Sequence, residues 1–228
     1  MIISALPALD FSGLLEGGGE GAATSVQLVL LLTVLSLAPG ILVLMTCFTR
    51  IVVVLSFVRM GLATQQTPPN QVLIGLALFL TFFIMAPTLS EVNEQAFSPL
   101  MAGEIDQNEA LTEAVGPMKE FMSRYTREKD LALFMDYAGE ERPESVEDIP
   151  LTSLVPAFAI SELKTAFQMG FLIFVPFLVI DMIVASVLMS MGMMMLPPVM
   201  ISLPFKILLF VLVDGWYLIV ESLLLSYT

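Results

Sequence analysis

The sequence predicts an all-α protein of hydrophobic helical hairpins with broken helices, plus a small acidic helical insert outside the cytoplasm. Of the 228 residues, 57% are hydrophobic and 14% are charged, whereas soluble domains average about 45 to 50% and about 25%. The charge is also concentrated, because residues 91–148 hold 15 of the 22 acidic groups. Four apolar stretches remain, near 24–48, 70–90, 165–190 and 204–226, and each is longer than the roughly 20 residues of a bilayer-crossing helix.

These patterns divide the chain into four segments. They are a polar N-terminal tail at 1–22, hydrophobic helices at 23–90, an acidic insert at 91–150, and C-terminal hydrophobic helices at 151–228. The tail has no Lys or Arg, so it lacks the basic region of a secretory signal. Two possibilities stay open: a signal peptide precedes the chain as given, or a short tail crosses the membrane unaided.

The orientation follows from two basic residues between the first two apolar stretches. Lys and Arg next to membrane helices are retained on the cytoplasmic side, and Arg50 and Arg59 lie in this connection. The connection is therefore expected inside, and the insert and the N-terminal tail outside.

The insert shows a helical spacing. Leu111, Val115, Met118 and Met122 recur at intervals of three and four, which predicts an amphipathic helix. Residues 139–144 have the composition of an exposed loop. The simpler alternative is a solvated linker with one small helical pair.

Prolines interrupt the apolar stretches at Pro39, Pro176, Pro197-Pro198 and Pro204. Each removes a helix hydrogen bond and favours a kink or a break. Broken backbone at membrane depth is tolerated only where protein or a water-lined cavity covers it. The sequence therefore predicts neighbouring chains or a pore.

Charges within the C-terminal half also predict neighbouring chains or a pore. The half has two cations and four anions, and a buried charge in a membrane protein needs a partner in the same chain or in a neighbour. The six residues are Lys164, Lys206, Glu162, Asp181, Asp214 and Glu221. Lys164 and Glu221 could instead be water-facing helix ends, while Asp181 and Lys206, between apolar runs, are predicted to be paired or to line a pore.

Methionine is concentrated near the end of the third apolar stretch. Seven of the sixteen Met lie between Met182 and Met200, including Met193, Met194 and Met195. Adjacent side chains on a helix point about 100° apart, so Gly192 and Pro197 predict a turn here. A flexible apolar loop of this kind could close a pore. Lipid-facing or core filler is the alternative.

Several functions are excluded or disfavoured by composition. The chain has no His and one Cys, Cys47, which excludes His-based catalysis, His metal sites and an intrachain disulfide. A net charge of -13 argues against nucleic-acid binding. The sequence therefore predicts no enzyme activity, no cofactor and no metal.

Two long strings resemble the signatures of the FliP family of type III export proteins. The first runs from Pro156 to Phe171 (PAFAISELKTAFQMGF) and the second from Pro204 to Trp216 (PFKILLFVLVDGW). The stretch from Arg50 to Pro87 is also similar, so the likeness covers most of the chain from residue 25 onward except the insert.

The resemblance implies a pore-forming subunit of the bacterial flagellar export gate, in the inner membrane within the basal body. Several copies, expected to be five, would assemble with FliR, FliQ and other export-apparatus membrane proteins and conduct unfolded protein substrates. The N-terminus, after a cleaved signal peptide, and the insert would be periplasmic. In this family the assembled core lies largely above the membrane plane, so hydropathy would report burial between subunits.

The resemblance also implies roles for particular residues. Met193, Met194 and Met195 match a methionine loop that acts as a gasket around the pore. Glu162 and Lys206 match a charge pair between neighbouring subunits. Asp181 and Asp214 are expected to be further buried charges.

Two other classes of protein compete with this interpretation. A secondary transporter or channel subunit is favoured by broken helices and intramembrane charges, although such transporters usually have two related halves. A membrane-anchored binding module, with residues 91–148 as its working part, comes third.

Overall fold

The computed structural model describes residues 32–33, 36–37, 39–64, 66–140, 143, 145–193 and 195–228. These residues form helices, turns and connecting segments, and no β-strand occurs among them, which confirms the all-α prediction. The chain divides into two compact units, Met1–Leu42 and Val43–Thr228, and the second contains helices α1 to α8 and the candidate site described below. The predicted polar tail at 1–22 lies outside the described residues.

Eight α-helices follow one another in the described part of the second unit from Phe48 onward. They are α1 (Phe48–Gly61), α2 (Asn70–Val92), α3 (Ser98–Ala102), α4 (Gln107–Tyr125), α5 (Glu128–Ala138), α6 (Leu151–Ser190), α7 (Pro198–Leu212) and α8 (Gly215–Leu225). A π-helical segment, Asn93–Phe97, joins α2 to α3.

Two continuous helical stretches are long and apolar enough to cross a membrane, Asn70–Ala102 and Leu151–Ser190. Two bent pairs each pass the same test together: Pro39–Met45 with Phe48–Gly61, and α7 with α8. The described residues therefore supply two candidate spans, or four if each bent pair is one span.

The C-terminal half has two helix breaks: the one between α6 and α7 ends at Pro197 and Pro198, as predicted, whereas the one between α7 and α8 does not lie at a proline. α6 continues through Pro176 and α7 through Pro204. The bend of 62° separates α7 from α8, where Asp214 has a left-handed backbone with φ 52°. A non-glycine residue in this region cannot continue a right-handed helix, so the break follows from Asp214.

The core is built around α1. Ile51, Val54, Leu55 and Val58 are fully buried there and belong to one cluster with side chains of α2 and α6, such as Phe158. Burial of large apolar side chains is the main stabilising contribution of such a cluster, about 1.5 to 3 kcal/mol for each.

Glycines allow α1 and α6 to approach closely. A Cβ atom added at Gly170 of α6 would lie 2.5 Å from the Phe57 ring, and one added at Gly61 of α1 would lie 2.6 Å from Phe177. Small residues at helix contacts let the backbones come together. The α1–α6 contact is therefore tightly packed.

The outer faces of the long helices are apolar and exposed. On α6 only 11% of the most apolar 18-residue window is buried, and Phe171, Leu172 and Met182 are more than half exposed. On α2, Phe79 and Phe83 are 78% and 70% exposed. Surfaces of this kind require lipid or other protein chains as their environment.

The acidic insert packs against the apolar helices. Asp106 caps α4 by accepting a hydrogen bond from the Glu109 backbone N–H at 2.8 Å. At the other end of α4, Phe121 and Met122 are buried in the same core cluster as Phe158. The predicted helix of the insert is confirmed, although Leu111, the first of the four apolar residues that predicted it, is exposed.

Candidate functional site: two buried ion pairs and a methionine turn

The more deeply buried of the two buried ion pairs joins α1 and α6. Arg50 Nε donates to Glu162 Oε2 at 3.0 Å, and Arg50 Nη2 donates to Glu162 Oε1. The two side chains are 4% and 1% exposed. A bidentate guanidinium–carboxylate pair fixes orientation as well as charge.

The last residues of the chain complete this cluster. Arg50 Nη1 donates to the backbone oxygen and the hydroxyl of Ser226 at 3.1 and 3.0 Å. The Tyr227 hydroxyl donates to Glu162 Oε2, and its ring lies 3.9 Å from Arg50 Cζ, a cation–π geometry. The Tyr125 hydroxyl of the insert donates to the Tyr227 backbone oxygen at 2.7 Å. The cluster thus joins α1, α4, α6 and the segment after α8.

A second ion pair lies in the α6–α7 hairpin. Lys206 Nζ donates to Asp181 Oδ2 at 2.6 Å, and the Ser202 hydroxyl donates to the other oxygen of Asp181. The Lys206 side chain is 2% exposed and that of Asp181 is 23% exposed. Ser202 and Lys206 stand one helical turn apart on α7, so both reach the same carboxylate.

Within one chain the structure does not bring Glu162 and Lys206 together. Glu162 pairs with Arg50, and Lys206 pairs with Asp181. A pair between neighbouring subunits would require both residues to exchange partners, and it stays a prediction. From the sequence, Arg50 was placed in the connection between the first two apolar stretches and so was missed as a partner, which was wrong, because the structure places Arg50 buried inside α1.

Asp214 is exposed in the single chain, so its predicted burial is not found there. It lies at the bend between α7 and α8, where its backbone oxygen accepts a hydrogen bond from Leu218 N at 3.2 Å. Burial of the Asp214 charge stays a prediction that requires a neighbouring chain.

The methionines follow the end of α6, as predicted, in a turn. Gly192 has φ 75°, and Met193 N donates to the Leu188 oxygen at 3.0 Å, the hydrogen bond of a glycine-ended helix cap. Met193 is 43% exposed and Met195 is 98% exposed, while Met194 lies outside the described residues. A seal formed by these side chains stays a prediction.

A polar contact attaches the insert to α6. The Arg127 backbone N–H donates to the Ser161 hydroxyl at 3.0 Å, and that hydroxyl donates to Asp130 Oδ2 at 2.7 Å. Arg127 Nη2 lies 2.5 Å from the same oxygen. Burial opposes ionisation of Asp130, but these two donors hold the pKa of its carboxyl below the usual value.

Across the described ranges, His, Cys, Asp and Glu residues do not gather in groups of three that could hold a metal ion. The charged groups of the two ion pairs contact each other, and they link α1 to α6 and α6 to α7. The attraction within a buried ion pair is offset by the cost of removing both charges from water, so the net gain in stability is small.

The fold and these sites define a class of protein: an all-helical chain with membrane-spanning capacity, internally paired charges and apolar faces left for lipid or partners. A family profile described as the FliP family matches residues 31–223, and the chain therefore belongs to the FliP family.

Relatives named flagellar biosynthetic protein FliP match over nearly the whole chain. The protein of Bacillus subtilis (strain 168) is 75% identical over 208 residues, which is 91% of this chain and 94% of the relative. That of Pectobacterium carotovorum subsp. carotovorum is 53% identical over 213 residues, 93% of this chain and 83% of the relative. That of Aquifex aeolicus (strain VF5) is 46% identical over 228 residues, 99% and 94% of the two chains. The resemblance inferred from the two signatures is thus confirmed.

Proposed function

We propose that this chain is a pore-forming subunit of the flagellar type III protein export gate. Several copies, expected to be five, assemble with FliQ and FliR into a core that conducts unfolded export substrates. The observation that carries the proposal is the exposed methionine turn between α6 and α7, two apolar helices that are tied to each other by a buried ion pair.

A need for neighbouring chains is supported by which side chains are buried and which are exposed. Arg50, Glu162 and Lys206 are buried and satisfied within one chain. Large apolar side chains on α2, α6 and α7 are left exposed instead. A chain with paired charges inside and apolar faces outside can pack against identical or related helices without burying an unpaired charge.

The methionine turn supports a role in closing the pore. Its side chains are unbranched and adaptable, and an apolar constriction limits ion passage because hydration is costly to remove. A ring of such turns would close against ions and yield to a polypeptide. The role is non-catalytic, and the energy for export comes from other components.

The proposed location is the bacterial inner membrane within the basal body. Arg59 lies in the last turn of α1, next to the connection to α2, and its guanidinium donates to the backbone oxygen of Pro68 at 3.5 Å. A basic residue at this end of the helix favours the cytoplasmic side. The insert and the N-terminus are then periplasmic.

Native mass spectrometry of the particle purified in detergent tests assembly. The expected result is a large complex with several copies of this chain together with FliQ and FliR. A stable, folded monomer as the main species, with no recruitment of either partner, would contradict the proposal and favour the transporter alternative.

Ion conductance tests the pore role separately. Replacement of Met193, Met194 and Met195 by Ala is expected to raise the permeability of cells to small ions while the yield of the complex is unchanged. The matched control replaces Met182, Met189 and Met200, which are 65%, 61% and 66% exposed outside the turn. Increased permeability in the control alone, or in neither variant, would contradict a seal at the turn.

A further inference from the structure

An apolar groove of about 280 Å³ lies on the acidic insert, between α4 and the helical turns that precede it. Phe97 and Leu100 line one side, and Ala110, Leu111 and Ala114 of α4 line the other. Ala114 lies four and three residues beyond the other two residues of α4, so the three share one helix face. Phe97 and Leu111 are 58% and 68% exposed, so a partner can reach the groove.

The groove coincides with the end of α4 that the rest of the chain does not cover. Phe121 and Met122, near the C-terminal end of α4, are buried in the core cluster, whereas Leu111, near its beginning, is exposed. Met101, next to Leu100 in sequence, is 79% exposed. Grouped apolar side chains on an otherwise polar surface are typical of protein–protein contact sites. Such a groove can accept the apolar face of a partner helix.

The charge of the segment that forms the groove determines the kind of partner. Residues 91–118 contain no Lys or Arg. Their acidic residues are Glu91, Glu94, Glu104, Asp106, Glu109 and Glu113. All of these carboxylates are exposed. A surface that carries charge of one sign attracts a partner of the opposite sign, so a basic partner fits this part of the insert.

A second copy of this chain matches this charge poorly. The same segment of a second copy would bring the same carboxylates, and like charges facing each other across an interface are unfavourable. Three cations of the insert, Lys119, Arg124 and Arg127, already contact backbone or carboxylate oxygens of their own chain. An anionic lipid is disfavoured by the same repulsion. Another protein with basic residues is therefore the better occupant.

We propose that this groove is a docking site for an amphipathic helix of another protein. The apolar side chains of that helix lie against Phe97 and Leu111, and its Lys or Arg residues face the carboxylates of residues 91–118. The site lies on the insert, whereas the proposed pore seal lies in the turn between α6 and α7. The docking site therefore adds a partner to the proposed function and does not depend on the pore role.

Site-specific photo-crosslinking in flagellated cells tests the proposal with the full chain in its complex. The photoreactive residue p-benzoylphenylalanine replaces Leu111 or, as a second position, Met101, and both side chains are exposed, so the fold is not disturbed. The expected result is an adduct with a protein other than this chain. Mass spectrometry of the crosslinked peptide should show a net positive charge and apolar residues spaced three and four apart.

Tyr137 is the matched control position, because it is 93% exposed on α5 and does not line the groove. The same photoreactive residue there is expected to give no adduct with that peptide. Glu104→Gln and Glu113→Gln are each expected to lower the adduct yield from position 111 by about 1.4- to fivefold, the contribution of one exposed ion pair. Asp136→Asn, at an exposed carboxylate of α5, should leave the yield unchanged.

An adduct with a second copy of this chain or with a lipid would overturn the proposal, and so would a crosslinked peptide without a net positive charge. It is also overturned by the same adduct at equal yield from Tyr137, by no adduct from either Leu111 or Met101, or by an unchanged yield in both glutamate variants. Ion conductance plays no part in this test, so its failure leaves the pore proposal untouched.

Discussion

The two buried ion pairs differ in their surroundings and in what they connect. Arg50 and Glu162 are 112 residues apart in sequence, and their side chains are 4% and 1% exposed. Asp181 and Lys206 are 25 residues apart, and the Asp181 side chain is 23% exposed. The first pair therefore joins the two apolar halves inside one chain, while the second joins adjacent helices and leaves one carboxylate accessible. The difference indicates which pair belongs to the core of the subunit and which could contact a neighbour.

The largest expected effect comes from removing one member of the first pair. Arg50→Met or Glu162→Gln leaves a buried group without its partner, which should lower the free energy of unfolding by about 3 to 5 kcal/mol. Denaturant unfolding of the purified protein in detergent measures it. A loss below about 1 kcal/mol in both variants, comparable to an exposed ion pair, would show that the cluster is accessible to water.

A charge exchange distinguishes pairing within the chain from pairing between subunits. Glu162→Lys is expected to prevent folding and assembly, and the combination with Arg50→Glu should partly restore both if the intrachain pair dominates. Restoration by Lys206→Glu instead would support the predicted pair between Glu162 and Lys206 of neighbouring copies. Complex yield in the two double variants decides between them.

The second pair is expected to respond asymmetrically. Asp181→Asn leaves Lys206 buried without a counter-charge and should cost about 3 kcal/mol. Lys206→Met leaves a carboxylate that is partly exposed and can be hydrated, so about 1 to 2 kcal/mol is expected, in the range of an unpaired polar group. The same unfolding measurement applies. Equal losses would mean that the hairpin buries both charges equally.

Local sequence patterns predicted the helices but not their pairing. The long charge-free runs around α2 and α6 predicted helices of membrane-crossing length, and the glycine before the methionines predicted the turn. Arg50 was not assigned to Glu162 because a contact between residues 112 positions apart leaves no local signal in the sequence. The search for partners also counted only the cations of the C-terminal half, and Arg50 lies in the N-terminal half.

The break between α7 and α8 was not predicted, for a different reason. Apart from the glycine before the methionines, breaks were predicted at prolines, yet α6 and α7 continue through Pro176 and Pro204. The break occurs at Asp214, through a left-handed backbone that Asp tolerates better than most residues. Composition alone does not reveal such a residue.

Packing between α1 and α6 provides a third test of the core region. Gly170→Ala places a Cβ atom 2.5 Å from the Phe57 ring, so the aromatic side chain must move, and a loss of about 1 to 3 kcal/mol is expected. Gly75→Ala on α2 is the control, because nothing lies within 4 Å of its added Cβ. There a gain of about 0.5 to 1 kcal/mol is expected from helix propensity. A loss in Gly75→Ala, or a gain in Gly170→Ala, would contradict the described packing.

The smallest expected effect concerns the polar contact between the insert and α6. Asp130→Asn keeps an oxygen acceptor but loses the charge that faces Arg127 and Ser161, so about 0.5 to 1.5 kcal/mol of the free energy of unfolding should be lost at neutral pH.

The effect of this substitution should also depend on pH, because the pKa of Asp130 is lowered below its usual 3.8 in the folded chain. Its stabilisation is therefore fully present above pH 3.8 and is lost as the pH falls through the lower folded value. The difference in unfolding free energy between the unaltered chain and Asp130→Asn should shrink toward zero in that acidic range. Asp136→Asn, at an exposed carboxylate on the same helix, should differ little from the unaltered chain at neutral pH. A difference for Asp130→Asn that persists below the folded pKa would show that the amide disturbs the contact by its shape, and that charge is not what holds the insert to α6.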